Sequence, residues 1–328
     1  MTRGSCVRTM SNVSGVTMNL SVVIPAFNSE AFLDETLTAI VAQTCKPDHI
    51  VVIDDGSTDR TGDIIRRFAP AVTGMRIPNG GQGAARRLAI THCDTDWIAL
   101  CDSDDVWNPD FLARRRALLD AYPDAQFTFS NFFSFGPASR PGHNLLADAP
   151  AGWLGQWCTI DQQGFYRVRD PYRAFLDFNP AYPSGIVFRR DAYSRMGGFL
   201  TKYSRWIAED AEFVRRFLLL PGVVVVGDTA QTWGYRRHHS NYSRTKWKNI
   251  LGCARILQEH LDLGLVPPPL QNEALHKIDH YLARAFDTAW WEQCPEGVTE
   301  IYRKLTPRQR TLKRRVQRVW ITLRPSRR

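Results

Sequence analysis

Short apolar runs alternate with amphipathic stretches over the first hundred residues of the chain. Residues 20–28 begin as a run rich in β-branched side chains, and residues 29–43 carry apolar side chains at helical spacing. The same order returns at 49–53 with 61–68 and at 71–77 with 84–92, before a fourth apolar run at 97–101. Repeated β–α units predict an α/β fold with a doubly wound, mostly parallel, Rossmann-like sheet covered by helices on both faces.

The pattern is less regular beyond residue 108. Asn108 followed by Pro109 suits the cap and first position of a helix. Residues 126–135 form an aromatic strand pattern, whereas 136–164 are rich in glycine, proline and tryptophan and are predicted to be a long loop. Residues 207–217 have the apolar spacing of a helix.

A helical extension with a basic end is predicted for the remainder of the chain. Helical spacing persists at 250–263 and 272–291, which are separated by three prolines, and residues 302–328 interleave arginine and lysine with apolar residues. This last stretch predicts a basic amphipathic helix. Such a helix could lie on an anionic membrane surface, bind an acidic partner or remain solvated. No nucleic-acid recognition motif accompanies it, so nucleic acid is not an expected partner.

Composition places the protein among globular proteins of reducing compartments. The chain has 328 residues, of which 44% are hydrophobic and 23% charged, with a net charge of +9. Its seven cysteines are scattered and include no C-x-x-C pair, so neither a disulfide framework nor a zinc site is indicated. Residues 1–18 lack the apolar segment of a signal peptide and are expected to be disordered. We expect a cytoplasmic protein, with peripheral attachment to the inner face of the membrane left open.

Polar residues follow three of the predicted strands where each strand ends. Asn28 follows the first strand, Asp54 and Asp55 the second, and residues 102–105, with three aspartates, the fourth. Ligands of parallel sheets bind at this edge, and carboxylate oxygens suit Mg²⁺ and Mn²⁺. The sequence therefore predicts one metal-bearing site, although the same residues also suit ordinary turns that lead into helices.

A glycine-rich turn and an arginine add a second candidate for ligand binding. The backbone N–H groups of residues 79–83 could hold a phosphate at the start of a helix. The string matches neither common phosphate-loop motif, however. Arg86, one turn later, suits pairing with a phosphate or an ordinary position on the solvated surface.

Taken together and in order, the motifs resemble glycosyltransferase family 2. They are SVVIPAFN at 21–28, DDGSTD at 54–59, AAR at 84–86, DSDD at 102–105, PSGIVFRR at 183–190, GGF at 197–199, ED at 209–210 and WGYRRHHSNYS at 233–243. The resemblance covers roughly residues 18–243. It implies a GT-A fold at 19–245, divided into a nucleotide-binding half at 19–108 and an acceptor half at 109–245, followed by the helical extension at 246–328.

The resemblance also implies an activity and the residues that carry it. The activity would be inverting transfer of a sugar from a nucleoside-diphosphate sugar, with uridine or thymidine as the favoured base, to a saccharide or lipid-linked acceptor. Expected donor-binding residues are Pro25, Ala26, Phe27, Asn28, Asp54, Asp55, Arg86, Asp102 and Ser103. Expected ligands of Mn²⁺ or Mg²⁺ are Asp104, Asp102 and His238, although the adjacent His239 leaves the register open. Asp210 is the expected catalytic base, with Glu209 as the second choice.

Two other functions remain open from the residues alone. A nucleotidyltransferase would use a similar strand-end pocket, but the glycine-rich, basic loop expected after its first strand is replaced by PAFNSE. A sugar-nucleotide-binding or scaffolding subunit would keep the fold without turnover. A processive polysaccharide synthase is disfavoured, since the sequence has no Q-x-x-R-W signature.

Overall fold

One mixed sheet organises the protein. The computed structural model describes residues 18–206, 208–239 and 245–323. The strands in this part are β1 Leu20–Ala26, β2 His49–Asp54, β3 Thr73–Arg76, β4 Trp97–Leu100, β5 Val106–Trp107, β6 Phe127–Phe135, β7 Cys158–Ile160, β8 Phe165–Val168, β9 Val187–Arg189 and β10 Val225–Arg236. Their order across the sheet is β3-β2-β1-β4-β9-β6-β10-β8-β7, and β5 pairs with β10 at its side.

Helices cover both faces of this sheet. They are α1 Leu33–Val41, α2 Thr61–Arg67, α3 Gln82–Thr91, α4 Phe111–Ala121, α5 Trp153–Trp157, α6 Pro171–Asp177, α7 Arg190–Arg195, α8 Glu209–Phe217, α9 Lys246–Asp262, α10 Gln271–Trp291, α11 Pro295–Lys304 and α12 Leu312–Leu323. The predicted β–α repeats of the first hundred residues are confirmed, and β1 to β4 pair in parallel. The strand β9 then runs antiparallel between β4 and β6, which makes the second half of the sheet mixed.

Two hydrophobic layers sandwich the central strands. Every residue of β1 is buried, as expected for a strand in the middle of a parallel sheet. Val22 and Ile24 face α1, α2 and α4, whereas Val23 faces α3 and the later helices. Because successive side chains of a strand point to opposite faces, a single apolar run supplies both layers.

Three predicted elements differ from the structure. The helix expected at Asn108 begins at Phe111, and the Asn108 amide donates a hydrogen bond to the Gln231 carbonyl instead of capping it. The loop expected at 136–164 contains α5 and β7. The basic stretch expected to be one helix is divided between α11 and α12, because Pro307 lies between them and proline cannot donate a helical hydrogen bond. Disorder was expected for residues 1–18, and residues 1–17 lie outside the part of the chain that the structure describes.

The helical extension shares a core with the sheet. Trp247 of α9, Phe286 of α10 and Ile321 of α12 belong to the same buried cluster as Phe213 and Phe217 of α8. The extension therefore supports the helix that carries the predicted catalytic acids. In the part of the chain that the structure describes, no helix is both long and apolar enough to span a membrane.

Candidate active site

The carboxyl ends of β1, β2 and β4 bring the predicted residues to one edge of the sheet. Asn28 follows β1 with a φ of 48°, and its side-chain oxygen accepts the Thr58 N–H at 2.8 Å. The first two motifs thus hold each other in place. Ser29, three residues after β1, contacts Ser103 after β4, with their hydroxyl oxygens 2.7 Å apart.

The turn that contains the aspartates is fixed from three sides. The Ser184 hydroxyl accepts the Asp102 N–H at 3.0 Å and donates to the Asp105 carboxylate at 2.6 Å. The Arg236 N–H donates to the other Asp105 oxygen at 2.9 Å. Thr36 of α1 donates to the carbonyl of Asp105 at 2.9 Å. These contacts aim Asp102 and Asp104 outward from a rigid turn.

Asp105 is a structural member of this turn. Its side chain is buried, and burial together with the neighbouring charges of Asp104 and Asp102 raises its pKa well above the usual range. Both of its carboxylate oxygens are engaged by Ser184 and Arg236. Asp105 therefore positions the two aspartates before it.

Arg86 joins the turn after β4 to α8. It is buried on α3, and its guanidinium donates to Asp102 at 2.6 Å and to Glu209. Burial alone would lower the pKa of Arg86, but the two carboxylates more than offset this effect and raise it. Of the two positions left open for Arg86, the solvated surface is excluded, and its guanidinium donates to carboxylates instead of lying free for a phosphate.

Glu209 and Asp210 occupy different environments at the start of α8. Glu209 is buried, and loss of hydration raises its pKa although Arg86 opposes the rise. Asp210 is half-buried, and its carboxylate accepts the Ala211 N–H at 2.8 Å. Burial also raises the pKa of Asp210 above the usual aspartate value. Of the two acids, Asp210 is the more accessible to a substrate.

Asp104 and His238 are in direct contact. The His238 Nε2 lies 2.9 Å from an Asp104 carboxylate oxygen, and its ring lies 4.3 Å from that of Phe32. His238 thus adjoins the aspartate. Asp102 turns one oxygen to Arg86 instead. Within the described ranges, no three His, Cys, Asp or Glu side chains converge as a metal site.

The glycine-rich turn is held by Asp55. Its two carboxylate oxygens accept the N–H groups of Gly80 at 2.7 Å and Gly81 at 2.9 Å. These N–H groups are therefore engaged by a carboxylate, which corrects the expectation that they hold a phosphate. Asp54 caps its own turn by accepting the Ser57 N–H at 2.8 Å.

An aromatic ring stands exposed beside this turn. Phe27, directly after β1, is 48% exposed although it is a large apolar side chain. Pro25 and Ala26 are buried in the strand that leads to it. A nucleotide base is a flat apolar ligand with polar edges, so this corner of the sheet suits one.

Some site residues could not be identified from the sequence. Ser184 and Arg236 are more than 75 residues from the aspartates that they fix. Their positions depend on the pairing of β9 and β10 with distant strands. The burial of Arg86 did have a signal in the sequence. Arg86 lies three and four positions before Ala89 and Ile90, which places it on the apolar face of α3.

Comparison with known proteins identifies the class to which this fold and site belong. The model of "Glycosyl transferase family 2" matches residues 21–197. This is more than half of the chain, which therefore belongs to glycosyltransferase family 2. The match ends before Glu209, Asp210 and His238, so it bears on the donor side of the site.

One curated relative is similar over most of the chain. It is validoxylamine A glucosyltransferase of Streptomyces hygroscopicus subsp. limoneus, 25% identical over 273 residues. The aligned part comprises 74% of this chain and 57% of the relative. The chain thus spans little more than half the length of that relative.

Solved structures confirm the GT-A type of fold. A structure of S. aureus TarS 1-349 in complex with UDP has a TM-score of 0.52 and 17% identity, covering 94% of this chain and 93% of that one. The mannosyltransferase PcManGT from Pyrobaculum calidifontis, in complex with GDP-Man and Mn²⁺, has a TM-score of 0.57 and 17% identity, covering 93% and 83%.

Proposed function

We propose that this protein transfers a sugar, with inversion, from a nucleoside-diphosphate sugar to an acceptor hydroxyl in the synthesis of a cell-surface glycan or polysaccharide. The observation that carries the proposal is the Arg86 bridge. It ties Asp102 on the donor side to Glu209, beside the half-buried Asp210. Donor contacts and a candidate base thus share one rigid frame.

The donor would lie along the strand ends. Phe27 offers its exposed ring to the base, with Pro25, Ala26 and Asn28 around it, and Asp55 orders the adjoining turn. Ser103 and Asp102 lie on the path towards the diphosphate. Solved neighbours of the same fold hold UDP, UDP-GlcNAc and GDP-Man, which supports a nucleotide sugar as the donor. We propose a UDP- or dTDP-linked sugar.

A divalent cation, Mn²⁺ or Mg²⁺, fits beside Asp104 and His238. The 2.9 Å between their nearest donor atoms suits two ligands of one ion, and Mg²⁺ sites commonly combine one or two carboxylates with substrate phosphates. The second oxygen of Asp102 adds a further candidate ligand. When bound, such an ion neutralises charge on the leaving diphosphate.

Asp210 is the proposed general base. Inversion occurs in a single displacement, so one carboxylate must take the proton of the attacking hydroxyl on the face opposite the leaving group. Glu209 is engaged by Arg86, whereas Asp210 is accessible. Burial raises the pKa of Asp210 and makes its carboxylate a stronger base than an exposed aspartate.

The acceptor and the location of the protein are proposed from a separate feature, the surface of α12. The helix α12 exposes Leu312, Val316 and Val319 beside several basic residues. We propose that it rests on the anionic inner face of a membrane. A cytoplasmic enzyme held there would meet either a saccharide or a lipid-linked acceptor.

The release of nucleoside diphosphate from UDP-, dTDP- and GDP-sugars tests the transfer proposal. With Mn²⁺ and without acceptor, we expect slow hydrolysis of one donor type and its loss in EDTA, because water can replace the acceptor. Release of pyrophosphate from a nucleoside triphosphate would favour a nucleotidyltransferase. Nucleotide binding without any turnover would favour a scaffolding subunit.

A further inference from the structure

A cleft of about 300 Å³ lies between the segment before α8 and the helical extension. Trp206 and Arg205 line it on one side, and Lys248, Leu251 and Arg255 of α9 line it on the other. None of these residues belongs to the donor site described above. The helical extension thus contributes to a ligand-sized opening as well as to the core.

The cleft is positively charged. Among the described residues that line it, Arg205, Lys248 and Arg255 are cations, and Glu300 is the carboxylate that pairs with Arg255. The floor is apolar, with Trp247 5% exposed and Leu251 2% exposed. Low-polarity walls strengthen the attraction of nearby cations for an anion.

Trp206 provides a rigid aromatic wall. Trp206 is 38% exposed, its ring makes a T-shaped contact with that of Tyr203 at a centroid distance of 5.2 Å, and its backbone N–H donates to the Tyr203 carbonyl at 2.7 Å. An exposed indole that packs against a neighbouring ring offers a flat surface at little entropic cost. Sugar rings present flat apolar faces of C–H groups that suit such a surface.

The cleft is anchored beside the proposed base. Lys202 pairs with Glu259 of α9 at 2.7 Å and thereby fastens the segment to the extension. Asp210 is four positions after Trp206 in the chain, and four residues span at most about 14 Å. A ligand in the cleft would therefore lie within a few sugar units of Asp210.

We propose that this cleft binds the acceptor, and that the acceptor is a saccharide with an anionic group, either a phosphate or a carboxylate. The proposal rests on the transfer function above and adds the class of its second substrate. Trp206 would stack on a sugar ring while Lys248, Arg205 and Arg255 attract the anion. A neutral saccharide would use the aromatic wall alone.

Titration calorimetry with three trisaccharides tests the proposal on the full chain. The probes are maltotriose, its phosphorylated form and trigalacturonate. We expect at least one anionic probe to bind about tenfold more tightly than maltotriose, which corresponds to one good charged contact. Lys248→Glu should weaken that binding at least tenfold, and Trp206→Ala should weaken it further.

Lys313→Glu on α12 is the matched control, because it makes the same change of charge away from the cleft and should leave the affinity unchanged. Equal affinity for the neutral and anionic probes, no binding of any probe, or an unaltered Lys248→Glu variant would overturn the proposal. The phosphorylated and carboxylated probes distinguish the two anions. UDP and dTDP titrated into the same preparations separate this result from the transfer proposal, since donor binding does not depend on Lys248.

Discussion

The positive charge of Arg86 holds the two sides of the site together. Its guanidinium lies between Asp102 and Glu209, and the three side chains are largely removed from water. A buried carboxylate without a partner is costly, so this bridge stabilises the site only while all three members are present. The helical spacing of α3 puts Arg86 on the same face as Ala89 and Ile90, a signal that the motif pattern alone did not reveal, whereas its partners follow from tertiary contacts that no local pattern encodes.

Removing the guanidinium should destabilise the protein strongly. We expect Arg86→Met to lower the free energy of unfolding by about 3–5 kcal/mol, because two acids remain buried without their cation. Urea denaturation followed by fluorescence measures this change. Arg66→Met, which breaks the exposed pair with Asp63, should cost no more than about 1 kcal/mol.

A double variant checks the cause. Arg86→Met combined with Glu209→Gln should recover part of the lost stability, because one of the unpaired charges is removed. Additive losses would show that packing of the Arg86 side chain, rather than its charge, holds the site.

Asp210→Asn should abolish transfer and spare donor binding. The amide has nearly the same shape but cannot accept the proton of the acceptor, so we expect the turnover number to fall at least ~100-fold. Steady-state kinetics and UDP or dTDP titration measure the two effects separately. Asn substituted for the exposed Asp262 at the end of α9 is a suitable control. Turnover close to that of the wild type would exclude Asp210 as the base.

The pH profile bears on the same residue. A general base acts only when ionised, so transfer should fall as the pH drops through the pKa of Asp210. Because burial raises that pKa, the acidic loss should begin at a higher pH than for an exposed aspartate. The acidic limb of kcat/KM shows where this loss begins.

At the scale of elements, the residue pattern predicted the β–α repeats and the aromatic strand β6, but not the short later strands. β1 and β2 are continuous apolar runs, and α3 has clear helical spacing, so their positions follow from the residues themselves. The three-residue strand β9 and the two-residue strand β5 are too short for a periodic signal. They form because neighbouring strands offer unpaired backbone groups.

The helix α12 exposes an apolar face that a membrane surface could cover. Leu312, Val316 and Val319 lie four and three residues apart on one face and are all exposed, whereas Ile321 is buried against the extension. We expect the protein to sediment with phosphatidylglycerol-containing vesicles and less with pure phosphatidylcholine, in a salt-dependent manner.

Val316→Asp should weaken vesicle binding about tenfold. It replaces an apolar side chain that would enter the lipid by a negative charge that anionic lipid repels. Leu275→Asp alters an exposed apolar residue of α10 and should have no such effect. Equal sedimentation of wild type and Val316→Asp would contradict the membrane proposal for α12.

At the scale of the whole molecule, the sheet, the donor edge and the extension form one connected structure. The extension was predicted as a separate appendage because its helices follow a break in the family pattern. Trp247 and Phe286 nevertheless pack into the cluster that includes Phe213 of α8. Sequence order separates these residues by more than 30 positions, so only the folded core reveals that the extension supports α8, the helix that carries the proposed base.

Nucleotide binding tests the central claim most directly, since the proposed transfer requires a nucleotide site and a metal at Asp104. We would titrate UDP, dTDP and GDP into the wild type and Asp104→Asn, each with and without Mn²⁺. The account predicts that UDP or dTDP binds, that Mn²⁺ tightens the binding, and that Asp104→Asn removes most of the Mn²⁺ effect. If folded wild-type protein binds none of the three nucleotides under any of these conditions, the account is contradicted.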